Sequence, residues 1–262
     1  MDILPLLAAG AASGLMAGLF GVGGGVIIVP VLALLYQAAG LSADVLIKVA
    51  VGTSLATIIV TSLSSIRSHH KRGAVDWAVF GRIAPGILLG SLAGAFVADV
   101  TPGRWLYIGF VAFLYLMAAR LFLGQVKAHG NLPGALGMGA AGAIIGIVSA
   151  LMGIGGGSLS VPYLTWCGML ARRAVATSAA IGLPIAVAGT AGFVYTGLDE
   201  PGLPPHSLGY VHLPALGGIV AASVLFAPLG ARLAHRLPDR LLKRAFALFL
   251  FVMASRMLYG LF

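Results

Sequence analysis

The sequence predicts an all-α polytopic membrane protein made of two related halves. Three observations support this fold class: the composition, two long charge-free runs and a glycine-rich motif that occurs twice. Hydrophobic residues make up 60% of the 262 residues and charged residues only 9%, whereas a soluble domain carries about 25% charged residues. The net charge is +9, but the Lys and Arg residues lie in short clusters between apolar runs. This pattern indicates membrane topology signals rather than a nucleic-acid-binding surface.

Each half begins with an apolar run that is too long for one crossing. No Asp, Glu, Lys, Arg or His occurs between Ile3 and Ala43, or between Gly130 and Ala171. One straight helix of that length would measure roughly 60 Å, twice the hydrocarbon thickness of a bilayer. Each run must therefore turn back. Helix-breaking glycines mark the place, in FGVGGGVIIVP (20–30) and in MGIGGGSLSVP (152–162).

Six further apolar runs have the length of ordinary membrane spans. They cover about 46–66, 75–97, 105–123, 174–196, 211–233 and 242–262. Together with the two glycine-broken hairpins, the first of which has its arms at 4–20 and 26–37, they predict eight to ten helices in a single transmembrane domain. The number depends on whether the hairpin arms are re-entrant or cross fully, which the sequence leaves open.

The two halves match each other in sequence. The glycine motifs recur at an offset of 132 residues and the pair Thr53–Ser54 recurs as Thr177–Ser178. The last spans match without gaps at an offset of 136 residues, for example Pro102 with Pro238. This pattern indicates an internal duplication, with repeat 1 at about 1–126 and repeat 2 at about 131–262.

Equivalent loops of the two halves carry opposite charge. The loop RSHHKRG (67–73) is strongly basic, whereas its counterpart at 196–209 has two acids and no Lys or Arg. The segment 98–104 is nearly neutral, whereas its counterpart at 231–244 is basic. Because basic loops stay in the cytoplasm, equivalent loops lie on opposite sides of the membrane. We therefore expect inverted-topology repeats, with both termini outside.

The glycine-rich breaks are candidate anion-binding sites. Consecutive glycines let backbone N–H groups point at one spot, and the arm that follows starts a helix whose N-terminus is partly positive. Two such tips would meet near the membrane midplane, where inverted-repeat transporters bind substrate. The alternative is that the glycines only allow close helix packing. The candidate residues are Gly23, Gly24, Gly25, Gly155, Gly156, Gly157 and Ser158.

Hydroxyl groups and one arginine are candidates to complete such a site. The hydroxyls of Thr53, Ser54, Thr177 and Ser178 are suitable donors to an oxyanion, although Ser and Thr also bond back to helix carbonyls. Arg82 lies about two turns inside its span, where an arginine is expensive and usually functional. Its alternative role is to extend to the cytoplasmic face.

Catalytic and metal-binding patterns are missing from the sequence. All seven acids lie at predicted span ends or in loops, so no carboxylate is placed to carry a cation or a proton across the midplane. The sequence has no HExxH motif and no buried Ser/His or paired Asp set. We therefore expect no enzyme activity, no metal and no cofactor, and the remaining mid-membrane donors favour an anion.

These motifs resemble those of the TauE/SafE family, also called the sulfite exporter or TSUP family. The resemblance rests on FGVGGGVIIVP, on VGTS about thirty residues later, and on the two-half layout. It implies a secondary transporter of the cytoplasmic membrane that moves sulfite, a sulfonate or a related organosulfur anion, usually by export. It also implies that Gly23–Gly25, Thr53, Ser54 and their counterparts in repeat 2 form the site. The chain departs from symmetry where Ala176 stands at the position equivalent to Gly52.

Three other functions remain open at this point: a passive anion channel, a permease for another anion or for a cation, and a membrane scaffold without transport. The expected partners are a small anion and the lipid bilayer, and no nucleic acid. The sequence leaves open the coupling ion (H⁺ or Na⁺), the direction of transport and the oligomeric state.

Overall fold

The computed structural model describes residues 3–20, 24–123, 130–234 and 239–260. In this part of the chain ten helices and one two-stranded hairpin are present, which confirms the all-α class. The helices are α1 (Ile3–Phe20), α2 (Gly25–Ala38), α3 (Ala43–Lys71), α4 (Trp77–Val100), α5 (Gly103–Leu123), α6 (Ala135–Met152), α7 (Gly157–Trp166), α8 (Ala171–Thr196), α9 (Leu213–Ala234) and α10 (Asp239–Tyr259). The strands are β1 (Ser207–Leu208) and β2 (Val211–His212).

Five helices in the described part are long and apolar enough to cross a membrane, namely α3, α4, α5, α6 and α8. Shorter apolar segments lie in α1, α2 and α9. The lengths agree with a bilayer core about 30 Å thick, because a helix rises about 1.5 Å per residue. The protein is therefore a multi-pass membrane protein.

The glycine motifs are breaks between helices, as the sequence predicts. Helix α6 ends at Met152, and Gly153 adopts a left-handed conformation with φ 63° before α7 begins at Gly157. Gly24, with φ 72°, immediately precedes α2. Glycine adopts such angles without the strain that a Cβ would cause. Helices α2 and α7 have only 14 and 10 residues, too few to span a bilayer.

Helices α3 and α8 form the centre of the protein and run antiparallel. Along α3, Leu55 lies beside Gly189 and Ser62 lies beside Gly182 of α8. The residue number rises along α3 while it falls along α8, so the two helices run in opposite directions. Helices α5 and α10 are also antiparallel, because Tyr107 donates a hydrogen bond to the carbonyl of Met257 and Tyr115 contacts Ser255 farther back along α10.

Two other helix pairs pack closely and run parallel. Gly86 of α4 lies against Gly139 of α6, and Gly94 lies against Ile147, so both helices advance together. Glycines let the two backbones approach, as small residues do in membranes. Helix α1 packs along α9 in the same way, since Gly10 lies against Ile219 and Gly14 against Ser223. Each pair joins the first helix of one half to the fourth helix of the other.

Candidate functional site

The two glycine breaks meet inside the protein. A side chain at Gly25 would place its Cβ 2.5 Å from the carbonyl oxygen of Gly153. A Cβ at Gly153 would in turn lie 2.8 Å from a methyl group of Val29, one turn into α2. Ile58 of α3 is in contact distance of such a Cβ at both Gly25 and Gly155. The start of α2 and the break between α6 and α7 therefore lie side by side against α3, and neither Gly25 nor Gly153 has room for a Cβ.

Ser54 connects the first half to the glycine break of the second half. Its Oγ donates a hydrogen bond of 2.8 Å to the carbonyl oxygen of Gly153, and the residue is fully buried. The contact links residues 99 positions apart. It holds the carbonyl that ends α6, so that this oxygen is not left without a donor in the interior.

The second glycine break packs directly on α8. A Cβ at Gly156 would collide with the carbonyl oxygen of Ser178 and lie 2.9 Å from the nitrogen of Gly182. Only glycine allows the two backbones to come this close. Gly182 in turn lies beside Ser62 of α3. Ser62 and Gly182 are neighbours of the tip that the sequence analysis missed, because neither belongs to a repeated motif.

Unpartnered polar groups collect at the start of α7. Ser158 is 7% exposed and Ser178 is fully buried, and the hydroxyl of neither has a hydrogen-bond partner among the described residues. The first N–H groups of a helix also lack intrahelical acceptors. A buried hydroxyl without a partner costs about 1–3 kcal/mol. The place where α7 begins on α8 therefore offers donors that a ligand with several oxygens can satisfy.

Thr53 and Thr177 have matching contacts. Thr53 Oγ1 accepts a 3.0 Å hydrogen bond from the backbone N–H of His212, and Thr177 Oγ1 accepts one of 3.0 Å from the N–H of Asp76. His212 directly precedes α9 and Asp76 is the N-cap of α4. Each threonine therefore holds the start of the fourth helix of the other half. The sequence contains a sign of this equivalence, since Asp76 and His212 are separated by 136 residues, the offset that also relates the last spans of the two halves.

Two predicted residues are not part of this buried group. Arg82 is exposed on the second turn of α4, so the structure does not bring it to the glycine tips as the sequence analysis suggested. Exposure instead fits the alternative of a side chain that extends from the helix surface. Gly23 lies outside the described residues.

Charged side chains also make contacts near both ends of α3, outside the repeated motifs. Near its start, Lys48 is 8% exposed; its Nζ donates to the carbonyl oxygen of Asp99 at 2.6 Å and lies 5.6 Å from the centre of the Tyr210 ring. Burial, together with the nearby Glu200 and Asp99 carboxylates, raises the pKa of Tyr210. Tyr210 is therefore neutral and donates to Asp99 Oδ1 at 3.3 Å.

Beyond the other end of α3, Asp76 caps α4. Its Oδ1 accepts from the N–H of Val79 at 3.1 Å, and its second carboxylate oxygen lies 3.8 Å from the exposed guanidinium of Arg173. Exposed ion pairs of this kind contribute little stability. The cap is the stronger effect, because it satisfies a helix N–H group.

An apolar cavity of about 400 Å³ lies between α3, α8, α9 and the hairpin, with Ala56, Thr190, Val211 and Leu216 among its walls. Nearly all of its lining is hydrocarbon. An ionised ligand has no donors there to replace its water, so this cavity does not fit an anion. The buried donors lie instead at the glycine tips.

Comparisons with known proteins agree with the membrane architecture. The family "Sulfite exporter TauE/SafE" matches residues 6–257. The chain is 37% identical over 260 residues to a probable membrane transporter protein of Haemophilus influenzae, covering 97% of both chains. It is 32% identical over 200 residues to a probable membrane transporter protein of Bacillus subtilis, covering 68% of this chain and 73% of that one. A probable membrane transporter protein of Methanocaldococcus jannaschii is 28% identical, with 98% of this chain and 96% of the relative covered. No solved structure matches the chain significantly.

Proposed function

Because the chain belongs to the sulfite exporter TauE/SafE family of membrane transporters, we propose that it exports a small sulfur-containing anion. The substrate class is sulfite, a sulfonate or a related organosulfur anion. The protein acts as a secondary transporter in the cytoplasmic membrane. The family supports the substrate class, and the glycine tips support a site for an oxyanion.

The meeting of the two glycine breaks is the observation that carries this proposal. The N-terminal end of α7 and the unpartnered hydroxyls of Ser158 and Ser178 are buried donors. An oxyanion accepts hydrogen bonds on each oxygen, and a helix N-terminus favours negative charge. Gly155, Gly156 and Gly157 carry no side chains that would cover the backbone N–H groups at this point.

We also propose that the two halves, at about 1–126 and 131–262, are inverted repeats. The antiparallel pairs α3–α8 and α5–α10 support this arrangement, because equivalent helices must run in opposite directions. The pairs α1–α9 and α4–α6 each join the first helix of one half to the fourth helix of the other, which supports a two-fold relation between the halves. The basic loop 67–73 orients the chain with both termini outside. Alternating access then arises when one part of each repeat moves against the rest.

A ligand screen on the purified protein tests the substrate class. We would measure thermal stability with sulfite, sulfate, thiosulfate, sulfoacetate, taurine, a carboxylate and NaCl at constant ionic strength. A ligand present at a hundred times its dissociation constant stabilises the native state by about 2.7 kcal/mol. A selective increase with one sulfur oxyanion is expected. Equal melting temperatures with all anions, in a protein shown to be folded, would contradict the proposal.

Flux measurements separate a transporter from a channel that uses the same site. In proteoliposomes, a secondary transporter shows saturable uptake and exchange of labelled for unlabelled substrate across the bilayer. A passive channel carries current that follows the electrochemical gradient without such exchange. Unsaturable current would replace the transporter mechanism with the channel.

A further inference from the structure

The short hairpin at 207–212 joins α8 to α9 and covers the start of the contact between α3 and α8. Its strands pair Ser207 with His212 and Leu208 with Val211. We call this segment the connecting hairpin. The proposed orientation places it on the outer side of the membrane. Its counterpart in the first half, at 71–76, is a short turn after α3 without strand pairing.

Tyr210 fastens the connecting hairpin to several helices. Its N–H donates to the carbonyl of Phe193 on α8 at 3.1 Å, and its hydroxyl donates to Asp99 at the end of α4. A Cβ at Gly52 of α3 would lie 2.6 Å from the carbonyl oxygen of Tyr210. The hairpin therefore packs directly on the backbone of α3 at Gly52, and a larger residue there would collide with it.

His212 makes the second attachment, and it reaches two further helices. It is 3% exposed. Its backbone N–H donates to Thr53 of α3, and its Nδ1 lies 3.0 Å from the hydroxyl of Tyr36. Tyr36 is fully buried and belongs to α2, the arm that follows the first glycine break. The imidazole ring of His212 thus links the connecting hairpin to α2, the helix that follows the first glycine break.

A proton on this ring changes the contact. Neutral imidazole offers one donor and one acceptor, whereas the imidazolium has two donors and no acceptor. Among the described residues no carboxylate forms an ion pair with His212, and a buried cation without such a partner is strongly unfavourable.

The groups that face the ring do not offset this cost. Tyr36 approaches from α2 and the carbonyl of His206 binds the next residue, Leu213. Lys48 of α3 lies across the ring of Tyr210 and adds positive charge, while Asp99 is already paired with Tyr210. Burial, and to a smaller extent the positive charge of protonated His206, lower the pKa of His212. The protonated ring is more stable in water than in this position.

We propose that His212 is a proton-binding site and that its protonation releases the connecting hairpin from α2 and α3. The inference that outer protons promote transport rests on the proposed function; the site itself does not. An outer proton then favours the conformation in which this side of the protein is open. The proton is the ligand, and the ring nitrogen Nδ1 or Nε2 takes it up when the ring reaches water.

The linkage between proton binding at His212 and opening of the hairpin gives the direction of the pH effect. The closed state holds His212 with a depressed pKa, and the open state restores a value near about 6.5. The closed hairpin is therefore fully stable above that pH and loses stability as the pH falls towards the depressed value. In this window the opening constant rises by up to about tenfold for each pH unit.

Hydrogen exchange on the purified full chain tests the site without any substrate. The amides of Tyr210, His212 and Leu213 are reporters, because each donates a hydrogen bond in the closed hairpin. After correction for chemical exchange, opening in the unmodified protein is expected to increase about tenfold per unit below pH 6.5. His212→Asn should remove this dependence. His206→Asn, a matched change of an exposed histidine in the preceding turn, should keep it over a narrower pH range, because the charge of His206 contributes to the lowered pKa of His212. Protection that is equal at pH 7.5 and pH 5, or a pH response that persists in His212→Asn, would overturn the proposal.

Tyr36→Phe provides a second variant in case His212→Asn does not fold. It keeps the imidazole but removes the hydroxyl that contacts Nδ1. We expect the opening constant at pH 7.5 to rise about fivefold, since one net hydrogen bond is lost. Unchanged protection in this variant would show that the His212–Tyr36 contact does not hold the hairpin.

Proteoliposomes test the effect on transport. Sulfite efflux should be faster at an outer pH of about 5.5 than at an outer pH of about 7.5, with the inner pH fixed, and His212→Asn should remove this difference. Equal efflux at both outer pH values would overturn the effect on transport. A pH-dependent exchange response without any sulfite movement would instead contradict the proposed function and support the proton site alone.

Discussion

At the scale of single residues, Ser54 and Ser178 occupy equivalent positions in the two halves and have different bonds. Ser54 donates to the carbonyl of Gly153, whereas Ser178 has no partner among the described residues. We interpret Ser54 as a structural residue that positions the glycine tip, and Ser178 as a donor to the anion. The repeated Thr–Ser motif in the sequence could not separate these roles, because hydrogen-bond partners far along the chain are not visible there.

This difference predicts opposite effects of the same substitution. Ser54→Ala should lower stability by about 1–3 kcal/mol, because the buried carbonyl of Gly153 loses its donor. Ser178→Ala should leave stability unchanged or slightly raised, but weaken binding of the transported anion about tenfold. Thermal unfolding and ligand titration of both variants measure the two effects. Tight binding in Ser178→Ala would remove this residue from the site.

A second prediction concerns Gly156. A Cβ there meets the backbone of Ser178, which cannot move aside as a side-chain end can, so Gly156→Ala should destabilise the protein by about 1–3 kcal/mol. Gly156→Leu should abolish transport while the chain still inserts in the membrane. Gly139→Ala is the matched control, since a Cβ at Gly139 has open space; alanine there should be neutral or stabilising. Equal melting temperatures of the two alanine variants would contradict close packing at the tip.

At the scale of helices, the two threonines link the halves by capping each other's fourth helix. Thr53→Val and Thr177→Val keep the shape but leave the N–H of His212 or Asp76 without its acceptor. Each change should cost about 1–3 kcal/mol. Thr61→Val is a suitable control, because among the described residues the Thr61 hydroxyl bonds only to carbonyls of its own helix. Chemical or thermal unfolding compares the three variants, and a loss no larger than that of the control would argue against a capping role.

The helix pattern itself was largely predictable. The break points, the long spans and the short arms follow from charge-free length and glycine placement, and the structure begins or ends helices within a few residues of the expected bounds. The connecting hairpin was not predicted, because the sequence indicated only a loop at 196–209. Its strands are two residues each, and so short a pairing is stabilised by the helices beneath it rather than by strand propensity.

At the scale of the whole molecule, the proposed inverted topology can be tested by labelling. In a Cys167→Ser background, single cysteines at Ser68 and Leu208 lie at exposed positions on opposite sides of the proposed arrangement. A membrane-impermeant maleimide should label Leu208→Cys in intact cells. Ser68→Cys should react only after the membrane is opened. Labelling of both from the same side would contradict the inverted repeat.

The sequence by itself determined the membrane class, the order of the apolar segments, the two glycine breaks and the family. These features depend on composition, on local helix-breaking chemistry and on repetition, all of which are written along the chain. Only the tertiary structure decided that the two breaks touch, that Ser54 serves the opposite half, that Arg82 is exposed, and that His212 contacts Tyr36. Those facts depend on which helices pack together and on the space between them, and a hydrogen bond between residues 176 positions apart leaves no local pattern from which it could be inferred.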